Sequence, residues 1–305
     1  IKEEYQQLLA EIDRLEKILA NESLQRDIIR QELTTVKDKF GDKRKTEITQ
    51  VDGDINIEDM IANDQVVVTI THLGYIKRTK VSEYRTQSRG GRGSTGSKTR
   101  EEDFIEHMFV ASNHNYLLLF TELGKCYWLR VYEIPEASKV STGRSILNLL
   151  NLPQEDRVRA YINVEDLEDK PFLESHFILL CTKNGIIKKS SLVDFSRPRA
   201  NGIIAINIHD GDQLVEAKLT NGLNEVVIAN RKGRAIRFSE SKVRTMGRNA
   251  AGVRAIRLDE DADWVVGMVC VDAHDAATTI LVVSEKGNGK RTALEDYSVT
   301  NRGGK

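Results

Sequence analysis

The residues best suited to chemistry fall in one short stretch, Gln87-Ser88-Arg89-Gly90-Gly91-Arg92-Gly93. Three glycines within four positions let a backbone come close to a ligand. Arg89 and Arg92 bring planar guanidinium forks that match phosphate oxygens. The following residues, Ser94 to Thr99, carry no apolar side chain, so the segment is expected at the surface. The chemistry this composition suits is anion clamping, with a nucleic-acid backbone as the leading candidate. The plain alternative is a flexible Arg/Gly loop. A nucleotide-binding loop is rejected. Gly91 and Gly96 have its spacing, but lysine must follow the second glycine directly; Ser97 stands there and Lys98 comes one residue late. The preceding Tyr84-Arg85-Thr86-Gln87 is not a buried apolar strand either.

A second set of cations recurs through the chain. From about residue 50 the pattern is an apolar run, a turn with glycine, then a strand bearing Lys or Arg. Its turn glycines are Gly74, Gly124, Gly185, Gly233 and Gly287, separated by 50, 61, 48 and 54 residues. Each copy predicts a β-hairpin with glycine supplying positive φ. Two more elements recur. Acidic turns open strands at Glu102-Asp103, Glu155-Asp156, Gly211-Asp212 and Ala262-Asp263, and a glycine precedes a strand at Gly143, Gly202 and Gly252. The Arg/Gly stretch occupies the connector slot of the first copy. About four strands per unit predict blades around an axis, a mainly β, propeller-like domain. Five hairpin copies are visible, and Arg302-Gly303-Gly304-Lys305 reads as the start of another connector, so a sixth unit is expected.

The repeat cations are Lys77 and Arg78, Lys188 and Lys189, Arg237, and Lys290 and Arg291, with Lys125 and Arg130 nearby in the second copy. Period-two alternation buries one face of a strand. Adjacent cations are therefore expected at a blade edge or end, where both reach solvent. Arg197, Arg199, Arg244 and Arg248, in two loops, would add to the resulting rim. A curved basic rim matches phosphates along a bent duplex. The alternative is that the cations only guard edge strands against aggregation.

No catalytic constellation is found. His72, His107, His114, His176, His209 and His274 are isolated and lack zinc-site spacing. Asp259 to Asp263 resembles a calcium loop, but Trp264 and Cys270 replace its required Gly and Glu. Cys126, Cys181 and Cys270 read as reduced core thiols of a cytosolic protein, and most tyrosines read as core.

The 305 residues are 40% hydrophobic and 30% charged, with net charge −1, ordinary for a soluble protein of about two domains. No apolar run approaches a membrane span. Residues 1–60 carry 10 Lys+Arg against 15 Asp+Glu, so a nucleic-acid site must be a local stripe. Leu8, Ile12, Leu15 and Leu19 predict a first helix; Leu24, Ile28, Leu33, Val36 and Phe40 predict a second, with Gly41 as C-cap. Their narrow apolar faces predict one arm of a coiled coil, residues 1–48, ahead of a β domain at 49–305. Residue 1 falls within the helical pattern and no initiator Met is present, so a fragment is expected.

The blade motifs, Tyr5 to Ala20 and Phe40 to Ile48 together resemble the bacterial DNA gyrase family, in its A-type chain, across the whole sequence. The Arg/Gly stretch matches that family's box, Q-R-R-G-G-R-G, at six of seven positions, with Ser88 where the family usually has Arg. The resemblance implies a β-pinwheel that bends double-stranded DNA around its rim, preceded by part of the coiled-coil tail. It implies a parent type IIA topoisomerase that introduces negative supercoils. Its partners would be the gyrase B protein and a second gyrase A protein in an A2B2 complex, working in the cytoplasm. ATP and Mg2+ would be used by the rest of that enzyme; this piece would need no cofactor, lack the strand-cleaving tyrosine and catalyse nothing alone. Two alternatives remain open: the related domain of topoisomerase IV, a decatenase in which the box is degenerate or absent, so that the intact box argues against it, and a protein-binding propeller.

Overall fold

The computed structural model describes residues 2–42, 44, 46, 57–84, 96–153, 155–259, 262–272, 275 and 277–304. The chain divides into two compact units, Ile1–Ile55 and Asn56–Lys305. The expected boundary at 48/49 lies outside the described residues.

The first unit holds α1 (Lys2–Ala20) and α2 (Glu22–Phe40). Asn21 breaks the helix with extended backbone, and its side chain accepts the Ser23 N–H, so it caps α2. Gly41 follows α2, but in extended rather than left-handed conformation, its N–H bonded to Lys37 O. Leu8, Leu15, Leu19, Leu33 and Phe40 are exposed.

The second unit is built of hairpins. β1 (Gln65–Thr71) and β2 (Tyr75–Lys80) are joined at Gly74 and followed by β3 (Ile105–Ser112). β4 (Tyr116–Thr121) and β5 (Lys125–Arg130) form the next hairpin, followed by the two-residue β6 (Arg144–Ser145) and β7 (Val158–Val164). A short α3 (Lys170–Ser175) leads to β8 (Phe177–Thr182), β9 (Ile186–Ser191), β10 (Ile203–Ile204) and β11 (Leu214–Thr220). Then come β12 (Glu225–Asn230), β13 (Ala235–Ser239), β14 (Val253–Arg254), β15 (Val265–Val271), β16 (Thr279–Val283) and β17 (Gly289–Ala293).

The strands form sheets of order β3-β1-β2-β6, β10-β5-β4-β7, β11-β8-β9-β14, β13-β12-β15 and β16-β17. Pairing is antiparallel throughout these sheets. The five sheets are the expected blades. The fourth strand of a blade comes from beyond the next hairpin: β6 follows β5 yet pairs with β2, and β10 and β14 do the same for β5 and β9.

Local chemistry fixes the hairpins. The turn glycines have φ between +79° and +82°, the left-handed region that costs glycine least. At the end of the first strand, the hydroxyls of Thr71, Thr121 and Thr182 accept the N–H of Tyr75, Lys125 and Ile186. Asn230 does the same for Arg234. The expected acidic turns have a structural task. Oδ1 of Asp103, Asp156 and Asp212 accepts a backbone N–H from the neighbouring hairpin turn at Leu73, Leu123 and Asn184, and also the N–H of the next residue.

The central strands are apolar on both faces. On β4, Leu117 and Leu119 pack into a core with Val66, Val68 and Ile70, whereas Leu118 and Phe120 join Ile178 and Leu180. On β8, Leu179 and Cys181 pack with Val226 and Ile228. The second and third sheets are thus walls between two cores. By contrast, Leu281, Val282 and Val283 of β16 are exposed.

A Cβ added at Gly124 would stand 2.4 Å from Ile206 O, while one at Gly233 meets nothing within 4 Å. Gly233→Ala should therefore cost about 1–2 kcal/mol, the strain of left-handed backbone alone. Gly124→Ala should cost distinctly more, because the outer strand must also move. Urea unfolding of the two variants checks this, and equal losses would contradict the close seating of that strand.

Candidate nucleic-acid interface

Gln87 to Gly93 lie outside the described residues. The flanking residues are placed. Tyr84 Oη donates to Gly96 O at 3.2 Å, and Lys98 N–H donates to Lys139 O at 3.2 Å.

The rim cations require a correction. Lys77, Lys188, Lys189 and Arg237 are only 2%, 0%, 6% and 8% exposed. The expectation that adjacent cations reach solvent assumed one wet strand face, and here the loops after the next hairpin cover the cations on that face. These side chains act as internal donors. Lys77 Nζ donates to the carbonyls of Ser138, Lys139 and Ser141 at 3.2, 2.8 and 2.8 Å. Lys188 Nζ donates to Ala205 O at 2.6 Å and to Arg248 O. Lys189 pairs with the fully buried Glu240 at 2.7 Å, and its ammonium lies 4.0 Å from the Phe177 ring centre. Arg237 pairs with Glu225 and donates to the carbonyls of Leu294 and Tyr297.

One repeat position explains part of the pattern. Arg78, Trp128, Lys189 and Arg237 each stand four residues after a turn glycine. Arg78 Nε donates to Ile134 O, Trp128 Nε1 to Phe195 O and Arg237 to Leu294 O, all in the turn after the next hairpin. Backbone bridges run alongside, Arg78 with Glu136, Lys189 with Thr245 and Arg237 with Val299. The outer loop that follows then returns as the fourth strand of the blade. Sequence reasoning found the cations and missed Trp128, which shares their register but not their charge.

Two other expected rim residues are half-buried and engaged. Arg78 also contacts Asn113 and Glu136, and Arg130 pairs with Glu58 at 2.5 Å beneath the Tyr116 ring. Lys125 and Arg248 are half-buried. Arg197, Arg199, Arg244, Lys290 and Arg291 are exposed and make no ion pair among the described residues. Three further exposed cations join them: Arg144 and Arg254, on the short strands β6 and β14, and Arg257. Their signal was available, since Arg144 and Arg254 sit one and two residues after the connector glycines Gly143 and Gly252. Exposed arginines thus stand on the loops and short strands that follow the hairpins, at Arg144, Arg197, Arg199, Arg244 and Arg254, and buried cations hold loops of the same kind in place.

Burial also shifts titration. Desolvation lowers the pKa of Lys77, and lowers Lys188 to about 8, with Asp194 opposing and Arg248 adding a little. Burial pushes the Cys126 thiol upward and Cys270 to about 12, so neither offers a thiolate at neutral pH. Among the described residues no group of His, Cys, Asp and Glu could hold a metal ion.

Strand-exchanged blades joined by outer loops define a β-propeller domain. A family model described as "DNA gyrase C-terminal domain, beta-propeller" matches residues 65–112, 115–162, 176–221, 224–272 and 278–305, and the chain belongs to that family. The DNA gyrase A protein of Staphylococcus epidermidis is 44% identical over 307 residues, covering 100% of this chain and 34% of that relative. The chain therefore spans about a third of the length of that curated relative. Two solved structures share the fold. The C-terminal domain of DNA topoisomerase IV has TM-score 0.66 and 28% identity, covering 81% of this chain and 72% of that one. A DNA gyrase A C-terminal domain has TM-score 0.62 and 29% identity, covering 79% and 75%.

The buried Lys188 gives a signed pH dependence. Its pKa is about 8 in the fold against an ordinary 10.5. Between those values the unfolded chain binds more protons, so the folded state gains stability as pH rises through that window. Lys188→Met lacks this gain. The urea midpoint of the native chain should therefore rise relative to that of Lys188→Met from about pH 7 to about pH 10. A pH-independent difference would place the ammonium in water.

Proposed function

We propose that this chain is the DNA-wrapping domain of a gyrase A protein, bending double-stranded DNA around its outer perimeter. The observation that carries the reading is the division of charge. Outer loops held by internal donors expose Arg197, Arg199, Arg244 and Arg254 with no acidic partner among the described residues. Unpaired guanidinium groups on successive blades suit phosphates that follow a curve. Lys290, Arg291, Arg144 and Arg257 extend the set, with Lys125 and Arg248 partly accessible. Gln87, Ser88, Arg89, Gly90, Gly91, Arg92 and Gly93 are assigned to pinning one end of the wrap.

The rest of the reading follows the family. The parent enzyme is a type IIA topoisomerase, an A2B2 complex with the gyrase B protein in the cytoplasm, using ATP and Mg2+ elsewhere in the assembly to drive negative supercoiling. This chain supplies no catalytic residue. The 44% likeness to a gyrase A protein, spread over the whole of this chain, and the match to a family described as a DNA gyrase C-terminal domain favour this reading over a topoisomerase IV domain. A protein-binding propeller would leave the unpaired arginines without a task.

Affinity for duplex should fall on the order of a thousandfold between about 50 and 200 mM salt, as six or more phosphate contacts require, with little sequence preference. Bending 20–30 base pairs by 40–90° costs roughly 1–6 kcal/mol, so the ends of a wrap peel first. Replacing residues 87–93 by alanine should spare the fold and simple binding. It should abolish bending by this chain and negative supercoiling by the parent enzyme, while ATP-dependent relaxation persists. Energy transfer between duplex ends and plasmid topology read the result. A flat salt response, or normal bending by the alanine variant, would overturn the assignment.

A further inference from the structure

We propose that the backbone amides of Gly247 and Asn249 are donors to phosphodiester oxygens, turned outward by two buried side chains that draw the preceding carbonyls inward. The inference rests on the reading that the outer perimeter meets DNA.

The loop at 246–250 follows the β12–β13 hairpin and lies against β9 of the previous blade, where the Met246 N–H donates to Lys189 O at 2.8 Å. Lys188 and Ser190 of β9 are fully buried. Ser190 Oγ donates to Met246 O at 3.0 Å, and Lys188 Nζ donates to Arg248 O. These peptide bonds are trans. In a trans peptide the C=O and the N–H of the same unit point in opposite directions. With the carbonyls of Met246 and Arg248 drawn into the interior, the N–H groups of Gly247 and Asn249 point away from it.

Both residues are exposed, and neither N–H has an acceptor among the described residues. The other carbonyls of the loop are engaged as well. Gly247 O accepts the Ala250 N–H at 3.1 Å, Asn249 O accepts Asn207 Nδ2 at 2.6 Å, and Ala250 O accepts the Asn207 N–H at 3.3 Å. The loop therefore keeps its acceptors occupied and offers donors, which is what an anion requires. Gly247, Arg248, Asn249 and Ala250 line a shallow hollow of about 290 Å³. Backbone N–H groups around a concavity make an anion site, and DNA phosphates commonly accept from main-chain N–H groups. Arg244 is exposed just before this hollow, and Arg248 stands between the two donors.

The arrangement has a counterpart in the first blade. Lys77 and Thr79 hold the repeat positions of Lys188 and Ser190, and they draw in the carbonyls of Ser138, Lys139 and Ser141 and of Ala137. In the second blade Tyr127 and Leu129 stand there, and the loop after the next hairpin carries Pro198, which has no N–H to offer.

The test follows the amide proton resonances of Gly247 and Asn249 in the isotope-labelled chain, during titration with a short duplex and separately with inorganic phosphate. Both should move downfield with duplex and saturate together with binding. Lys188→Met should lose the Asn249 movement and Ser190→Ala the Gly247 movement, each with a severalfold loss of duplex affinity. The salt slope should stay unchanged in both, because a neutral amide displaces no counterion. A slope lowered by about one in Lys188→Met would mean that the lysine itself touches phosphate, and that overturns the proposal. If one variant fails to fold, the native titration and the other variant decide. Duplex binding that moves resonances beside Arg197 and Arg254 while Gly247 and Asn249 stay unmoved sinks this inference alone. Movement with inorganic phosphate and none with a bound duplex would give the donors to a free anion and overturn their assignment to DNA. No response to duplex anywhere in the chain means that the underlying reading has failed.

Discussion

The structure depends on a hydrogen bond between a side-chain donor on the second strand of one hairpin and the backbone carbonyls after the next. Burying an ammonium or guanidinium is costly unless its protons find acceptors. Here the acceptors are main-chain carbonyls of an irregular loop, which need donors themselves once water is excluded. Each side satisfies the other. A loop of little regular structure is thereby fixed against a sheet, and its own cations are left facing solvent. Lys77 and Arg237 do this with a charge; Trp128 does it with an indole N–H.

Much of the fold could be read from the residues. The turn glycines, the hydroxyl or amide three residues before them, and the acidic turns recur with enough regularity to count blades and place hairpins. The fourth strands were harder. At two residues each, they carry no periodicity, and their pairing with the previous hairpin is a matter of topology that spacing does not encode.

The candidate site was less legible, for a particular reason. Lys188-Lys189 looks like a solvated pair because alternation puts neighbours on opposite faces, and one face of a sheet is usually wet. In a stack of sheets neither face is. Lys189 then finds Glu240, 51 residues away in sequence, and Lys188 finds carbonyls, which every residue carries and no sequence pattern marks. The same blindness hid Arg144 and Arg254, which look like strand residues of no special kind until the connector glycines before them are seen to turn the chain outward.

The exchanged fourth strands have a consequence for synthesis. As the chain leaves a ribosome, β1 and β2 emerge early, but the strand that completes their outer side, Arg144–Ser145, arrives only after β4 and β5 have been made. Each of the first three blades is thus finished by its successor, and while they are made the nascent chain carries one incomplete sheet behind its growing end. Lys77 meets its carbonyls only at that later moment, so its burial is deferred until the partners that compensate it exist. Vectorial assembly of this kind ties the order of translation to the order of closure. A pause within one repeat would leave the previous blade, rather than the stalled one, with its edge open.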